Sequence, residues 1–251
     1  MNLKSFKGRL VILACSVFIM SFIYPQKKIG VYLVGDSTMS EKKVTAYPET
    51  GWGMPFAYFF SSEVKVENRA QNGRSTRTFI EEQRWKAVAD SLEQGDYVLI
   101  QFGHNDEVPT KKSYTPPSEF RSNLERFIRE TKNKGATPVL ITPVARRKFD
   151  DKGNIEETHE VYSAIVRQVA SENRVPLIDL DKRSQEMLQR LGSESSRWLF
   201  NYLEPGEHPN YPEGKKDDTH FNELGARKMA ELVLEGLKEQ KLPLVNHLVK
   251  N

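Results

Sequence analysis

The sequence predicts an α/β protein, a three-layer α/β/α sandwich on about five parallel strands. Two observations carry that expectation. Short runs of valine, leucine and isoleucine recur along the chain, each reading as a strand buried on both faces. Between them, apolar residues fall at helical spacing, the pattern of strands joined through helices in right-handed crossovers. The chain has 251 residues, 38% of them hydrophobic, enough for a full core. No repeat, low-complexity tract or Pro/Gly/Ser-rich linker divides it.

Residues 27–251 are therefore expected to form a single domain, with residues 1–26 standing apart. Lys4, Lys7 and Arg9 precede any acidic residue, and Leu10 to Tyr24 is apolar except for Cys15, Ser16 and Ser21. This is the layout of a secretory signal peptide, short for a membrane span of about 20 apolar residues. A cleaved signal predicts a secreted or periplasmic protein. An uncleaved anchor and lipidation at Cys15 are the alternatives, and only retention of the segment would bring a membrane into contact. Cys15 is the single cysteine, so cleavage leaves neither disulfide nor thiol nucleophile. The net charge of +3 also resides here: 37 basic residues less these three leaves 34, against 34 acidic. That balance points away from a nucleic-acid partner.

The elements follow in order. Val31 to Val34 is the first strand, ended by Gly35; Asp36, Ser37 and Thr38 favour a turn and a helix N-terminus. Met39 to Thr50 is polar loop, and Pro55 opens a short apolar helix through Phe60. Val64 to Val66 alternates as a strand, and Arg69 to Thr78 reads as a polar loop around Gly73. Trp85, Val88, Ala89 and Leu92 share a helical face closed by Gly95, and Tyr97 to Ile100 is the third strand. Ser118 is the expected cap of a helix burying Phe120, Leu124, Phe127 and Ile128 up to Gly135. Val139 to Ile141 is strand four. Asp150 to Asn154 is a turn whose oxygen ligands lack calcium-loop spacing. A helix with Tyr162, Ile165, Val166 and Val169 leads to strand five, Val175 to Leu180. Met187, Leu188 and Leu191 mark another helix, Ser193 to Asp218 a loop, and Asn222 the cap of the last helix.

Parallel α/β sheets gather the loops at their strands' carboxyl ends on one rim, where ligands bind. That rim would hold Ser37, Gly73, Asn105 and the segment before the last helix. A serine hydroxyl becomes a nucleophile when a neutral imidazole takes its proton and a carboxylate orients that imidazole. Asp217-Asp218-Thr219-His220 offers both groups, with Asp217 spaced to fold back on His220 and Asp218 as the competitor. The N–H groups of Ser37 and Gly73 and the Asn105 side-chain amide are candidate donors to an oxyanion. Trp52 is expected in the core, His104 and Asp106 in hydrogen-bonded structural roles, and no metal or cofactor is called for. Arg74 and Arg77 beside Gly73 are candidates for carboxylates of an acidic glycan. Trp198, Phe200 and Tyr211 could offer faces to sugar rings.

In chain order, Gly35-Asp36-Ser37, Asn72-Gly73, Gly103-His104-Asn105-Asp106 and Asp217-Asp218-Thr219-His220 resemble the SGNH hydrolases, the Gly-Asp-Ser-type esterase superfamily. The resemblance spans nearly all of the chain after residue 28 and implies that superfamily's flavodoxin-like architecture. It implies Ser37 as nucleophile, His220 as general base and acid, Asp217 as its orienter, and Ser37, Gly73 and Asn105 as the oxyanion hole. Gly35-Asp36-Ser37-Thr38, Gly103-His104-Asn105-Asp106 and Asp217-Asp218-Thr219-His220-Phe221 resemble more narrowly the rhamnogalacturonan acetylesterase branch, whose members are secreted and deacetylate pectic polysaccharide. The expected partner is thus an acetylated polysaccharide or oligosaccharide, with Arg74, Trp198 and Tyr211 as substrate contacts. Acetylated xylan, a lipid ester or thioester, and non-catalytic glycan binding are the competing readings. No Gly-x-Ser-x-Gly elbow is present.

Overall fold

Successive residues of a strand point to opposite faces of a sheet, so a strand of unbroken apolar residues must be covered twice. A computed structural model describes residues 27–249, and β1 (Ile29–Gly35) sends Val31 and Leu33 into one core, Tyr32 and Val34 into the other. The signal peptide, anchor and Cys15 expectations lie outside the described residues. Among those described, no helix is long and apolar enough to cross a membrane.

The remaining strands are β2 (Val64–Asn68), β3 (Tyr97–Gln101), β4 (Thr137–Ile141) and β5 (Leu177–Ile178). All pair in parallel, in the order β2-β1-β3-β4-β5. The first face is covered by α1 (Gly53–Phe56), later by α6 (Leu180–Ser195) and α7 (Glu223–Glu239), through Phe56, Leu188, Met229 and Val233. The second carries α2 (Thr76–Glu81), α3 (Arg84–Ser91), α4 (Pro117–Asn133) and α5 (Glu160–Asn173), through Phe79, Trp85, Phe127 and Val166. This is the expected three-layer sandwich. The chain leaves β1 for β2 on one side and returns to β3 on the other, so the loops after β1 and β3 diverge around a crevice.

Several boundaries differ from expectation, each for a local reason. Residues 76–78, read as the end of a loop, open a helix that runs to Glu81, because Ser75 and Thr78 form a reciprocal capping box: Thr78 N–H donates to Ser75 Oγ and Ser75 N–H to Thr78 Oγ1. Helix α3 ends at Ser91, ahead of Gly95, which makes the positive-φ turn into β3 instead. Ser118 is not the cap of α4: Pro116 holds that place, and Pro117 presets the first turn. Strand five is only two residues long. Asp179 caps α6 through the Lys182 N–H and pairs with Arg167, which draws Leu180 into the helix. After β1, residues 36–40 close a single turn, Ser40 N–H to Asp36 O at 3.1 Å, and no helix follows Ser37.

Helix α7 begins as expected, with Asn222 Oδ1 accepting from Gly225 N–H at 3.0 Å. Its first turn lies against the carbonyl of Leu199: a Cβ on Gly225 would stand 1.8 Å from that oxygen. Backbone cannot step aside cheaply there, so Gly225→Ala should destabilise the fold by about 1–3 kcal/mol or more. Chemical denaturation with an unchanged slope checks this; a variant as stable as wild type would mean that the two segments are not packed in this way.

Candidate active site

Ser37 is carried on the turn after β1, and four linked side chains fix that turn. Asp36 Oδ1 accepts from Thr38 N–H at 3.0 Å and Thr38 Oγ1 at 2.9 Å. Thr38 Oγ1 in turn accepts from Gln101 Nε2 at 2.8 Å, and the Trp52 indole N–H donates to Gln101 Oε1 at 2.6 Å. Trp52 is thus fully buried, as expected, and ties the turn to the end of β3.

His220 is held from both sides of its loop. Its carbonyl accepts from Asn201 N–H at 2.9 Å, and the carbonyl of the next residue, Phe221, accepts from Thr50 N–H at 2.8 Å. The ring then reaches Ser37: Oγ and Nε2 are 2.9 Å apart, and Nδ1 lies 2.9 Å from Asp217 Oδ2. The other oxygen of Asp217 accepts the backbone N–H groups of Thr219 and His220 at 2.9 and 3.0 Å. Partial burial pushes this carboxyl up, but the His220 ring and those amides outweigh it and hold it well below the usual carboxylate range. Asp218, the competitor, is turned away, taking Arg147 Nη1 at 2.6 Å and the Tyr202 hydroxyl at 2.7 Å.

Gly73 and Asn105 line the same cavity of about 470 Å³ as Ser37 and His220. Gly73 has φ of 75°, and a Cβ there would meet nothing within 4 Å. Its glycine is demanded by backbone conformation, not by crowding. Asn105 Nδ2 donates to the Arg74 carbonyl at 3.1 Å, which leaves its second hydrogen available.

The sugar-contact candidates lie elsewhere. Arg74 Nε is 3.0 Å from both Glu82 oxygens, and Arg77 Nε donates to the Tyr114 carbonyl. Trp198 is 76% exposed, Phe200 is fully buried, and Tyr211 donates its hydroxyl to the Ala46 carbonyl. None of these five is among the residues lining the Ser37 cavity. Arg74 lines instead an adjoining cavity of about 470 Å³ with Gly73 and Asn105, whereas Trp198 is solvated and Phe200 lies in the core.

The cavity wall is completed by residues that sequence reasoning passed over: Glu49, Asn72, Lys111, Arg146 and Thr219. Arg146 Nη1 donates to Thr219 Oγ1 at 2.7 Å, and its Nη2 lies 3.0 Å from Glu107 Oε1, joining the loop after β3 to the His220 loop. Its position in the loop after β4, on the rim where such sheets place ligands, was a usable signal. His104 is buried, but neither ring nitrogen makes the hydrogen bond expected of it: Nδ1 stands 3.5 Å from Asp36 Oδ2, because the Asp36 turn and the loop after β3 meet without room to align the pair. Burial and the neighbouring His159 ring hold its imidazole down to about 4, so it is neutral. Asp106 Oδ1 caps α2 by accepting from Thr76 N–H at 2.8 Å. Glu49, Asp217 and His220 are close enough together to suggest a metal. All three are already engaged, however, Glu49 with Lys42 at 2.8 Å and the other two with each other.

Comparison with known proteins turns this geometry into a family assignment. Residues 33–228 match the GDSL-like Lipase/Acylhydrolase family. The chain belongs to that family. It is accordingly an ester hydrolase. It is 46% identical over 224 residues to rhamnogalacturonan acetylesterase RhgT of Bacillus subtilis, covering 89% of this chain and 96% of that protein. The rhamnogalacturonan acetylesterase of Emericella nidulans is 46% identical over 228 residues, 82% of this chain and 84% of its own. Among solved structures, protein YXIM of Bacillus subtilis superposes with a TM-score of 0.75 at 28% identity. That match spans 87% of this acylhydrolase-family chain but only 58% of the longer YXIM chain.

Because the Asp217 carboxyl is depressed in the fold, its contribution to stability is full above its unfolded value of about 3.9 and is lost as pH falls. Wild type should therefore lose melting temperature on acidification from about pH 6 to pH 3 more steeply than Asp217→Asn. Thermal unfolding across that range measures it, and equal slopes would remove the ion pair from the account.

Proposed function

We propose that this chain is a serine esterase removing acetyl groups from plant cell-wall polysaccharide, with rhamnogalacturonan as the principal substrate. The observation that carries the reading is the continuous relay Ser37 Oγ–His220 Nε2, His220 Nδ1–Asp217 Oδ2, both links at 2.9 Å. His220 Nε2 takes the Ser37 proton as Oγ attacks the acetyl carbonyl, and Asp217 holds the ring in the required tautomer. The tetrahedral oxyanion is received by the N–H groups of Ser37 and Gly73 and the free hydrogen of Asn105 Nδ2. Collapse breaks the bond between the acetyl carbon and the sugar oxygen, which takes the proton from His220 as it leaves and departs as a hydroxyl, with the acetyl group on Ser37 Oγ. Water then hydrolyses the acetyl-enzyme by the reverse sequence.

The shape of the site supports a glycan over a lipid. Lined by Glu49, Asn72, Lys111 and Arg146, the cavity presents no aliphatic or phenyl side chain among its described residues for an acyl tail. On one side it adjoins a cavity of about 700 Å³ through Lys111 and Arg146, and on the other one of about 470 Å³ through Gly73, Asn105 and Lys111. A chain of sugars can therefore run past the ester in both directions. The identity to the two rhamnogalacturonan acetylesterases supports the polymer. The basic residues and apolar run of residues 1–26 support export, with that segment as the signal peptide.

Wild-type protein should be labelled by a fluorophosphonate, whereas Ser37→Ala should be folded and unlabelled. Acetate release should be fastest from acetylated rhamnogalacturonan, slower from acetylated xylan, and poor from long-chain synthetic esters. Faster release from xylan would replace the polymer, and a preference for long acyl chains would overturn the deacetylase.

A further inference from the structure

A lysine side chain with no exposed surface sits beneath the nucleophile. Lys42 lies five residues after Ser37, and its ammonium spends all three donors on fixed acceptors. It reaches Glu49 Oε1 at 2.8 Å, the Ser37 carbonyl at 2.6 Å and Asn72 Oδ1 at 2.8 Å. The Ser37 carbonyl belongs to the nucleophile's own peptide. Asn72 immediately precedes Gly73, and its Oδ1 also receives the Ser40 hydroxyl. One cation thus clamps the turn bearing the hydroxyl to the loop bearing an oxyanion donor, which come from different strands.

Its counter-ion faces the relay. Glu49 lines the Ser37 cavity, and its carboxylate lies within 4.8 Å of ligand atoms of Asp217 and His220. Burial pushes the Lys42 ammonium down from its ordinary value, while the Glu49 carboxylate pulls it back up. The other charged or titratable groups around His220 are Asp217, Lys215 at 3.6 Å from Asp217 Oδ2, and Lys111, Arg146 and His104 on the cavity wall.

We propose that Lys42 is a positioning residue for the esterase reaction, clamping the Ser37 turn to the Gly73 loop and neutralising Glu49 beside His220. The proposal rests on the serine-esterase reading above. It gives the Ser37–Gly73 geometry a cause outside the motifs that carry the relay residues. An error of about 1 Å between nucleophile and oxyanion donor costs about 100-fold in rate.

The test is Lys42→Met, which keeps the side chain's length and removes its charge and donors. The expected result is kcat on p-nitrophenyl acetate lower by about 10- to 100-fold, KM within about threefold, and fluorophosphonate labelling slowed in parallel. The unneutralised Glu49 then favours the imidazolium form of His220, which cannot accept the Ser37 proton, so the acid limb of the pH–rate profile should move to higher pH. Lys42→Met/Glu49→Gln removes both charges, leaves no buried ion unpaired and keeps the test usable where the single variant does not fold. In the double variant kcat should stay low while the acid limb returns to its wild-type position. A folded variant of either kind with wild-type kcat and labelling rate overturns the proposal. Failure of wild type itself to react with the probe would instead overturn the esterase reading.

Discussion

The structure depends on a contact of 2.9 Å between side chains 183 residues apart, Ser37 and His220. No local propensity can arrange it. It exists because the parallel sheet reverses strand order beside β1, leaving a crevice at the carboxyl ends of β1 and β3. Ser37 stands on one lip and Asn105 on the other, while α7, packed across the first face, delivers the loop that bears His220. A sheet covered on both faces is stiff, so the loops inherit fixed roots.

Rooting the loops is not sufficient, and the site spends interior polar groups on the remainder. Lys42 holds the loops after β1 and β2 together, and Arg146 holds those leading from β3 and into α7. Burying an ion is costly unless every donor is satisfied, and a buried ion pair adds little to stability by itself. What these cations supply is a set of hydrogen bonds that ties loops from different strands to one another. The Trp52–Gln101–Thr38 chain does the same with neutral groups, under the turn that bears Ser37.

The wall of the cavity carries specificity of a different kind. Its lining is polar and charged, and it opens on both sides, so it suits a hydrated, hydroxyl-rich chain and gives an acyl tail nothing to bury against.

Apolar periodicity was enough to place the five strands and the helix stripes such as Phe120–Leu124–Phe127, because burial on two faces leaves an unmistakable pattern. The short motifs with chemistry in them, Gly35-Asp36-Ser37, Gly73, Asn105 and Asp217-x-x-His220, were legible because their residue types and chain order are unusual together. Element ends were less so: the capping box of Ser75 and Thr78 hides in a polar stretch, and Asp179 ended strand five by claiming the next helix. The three-residue spacing already favoured Asp217 over Asp218 for the imidazole; what only tertiary structure decided is where Asp218 goes instead, to Arg147 and Tyr202. Tertiary structure also decided that Lys42, Lys111 and Arg146 stand at the site and Arg74 beside it, while Trp198 and Tyr211 stand off it. A side chain's chemistry is written in its residue type, but its neighbours are set by how distant segments pack, and a charge or an aromatic ring acts only on what it meets.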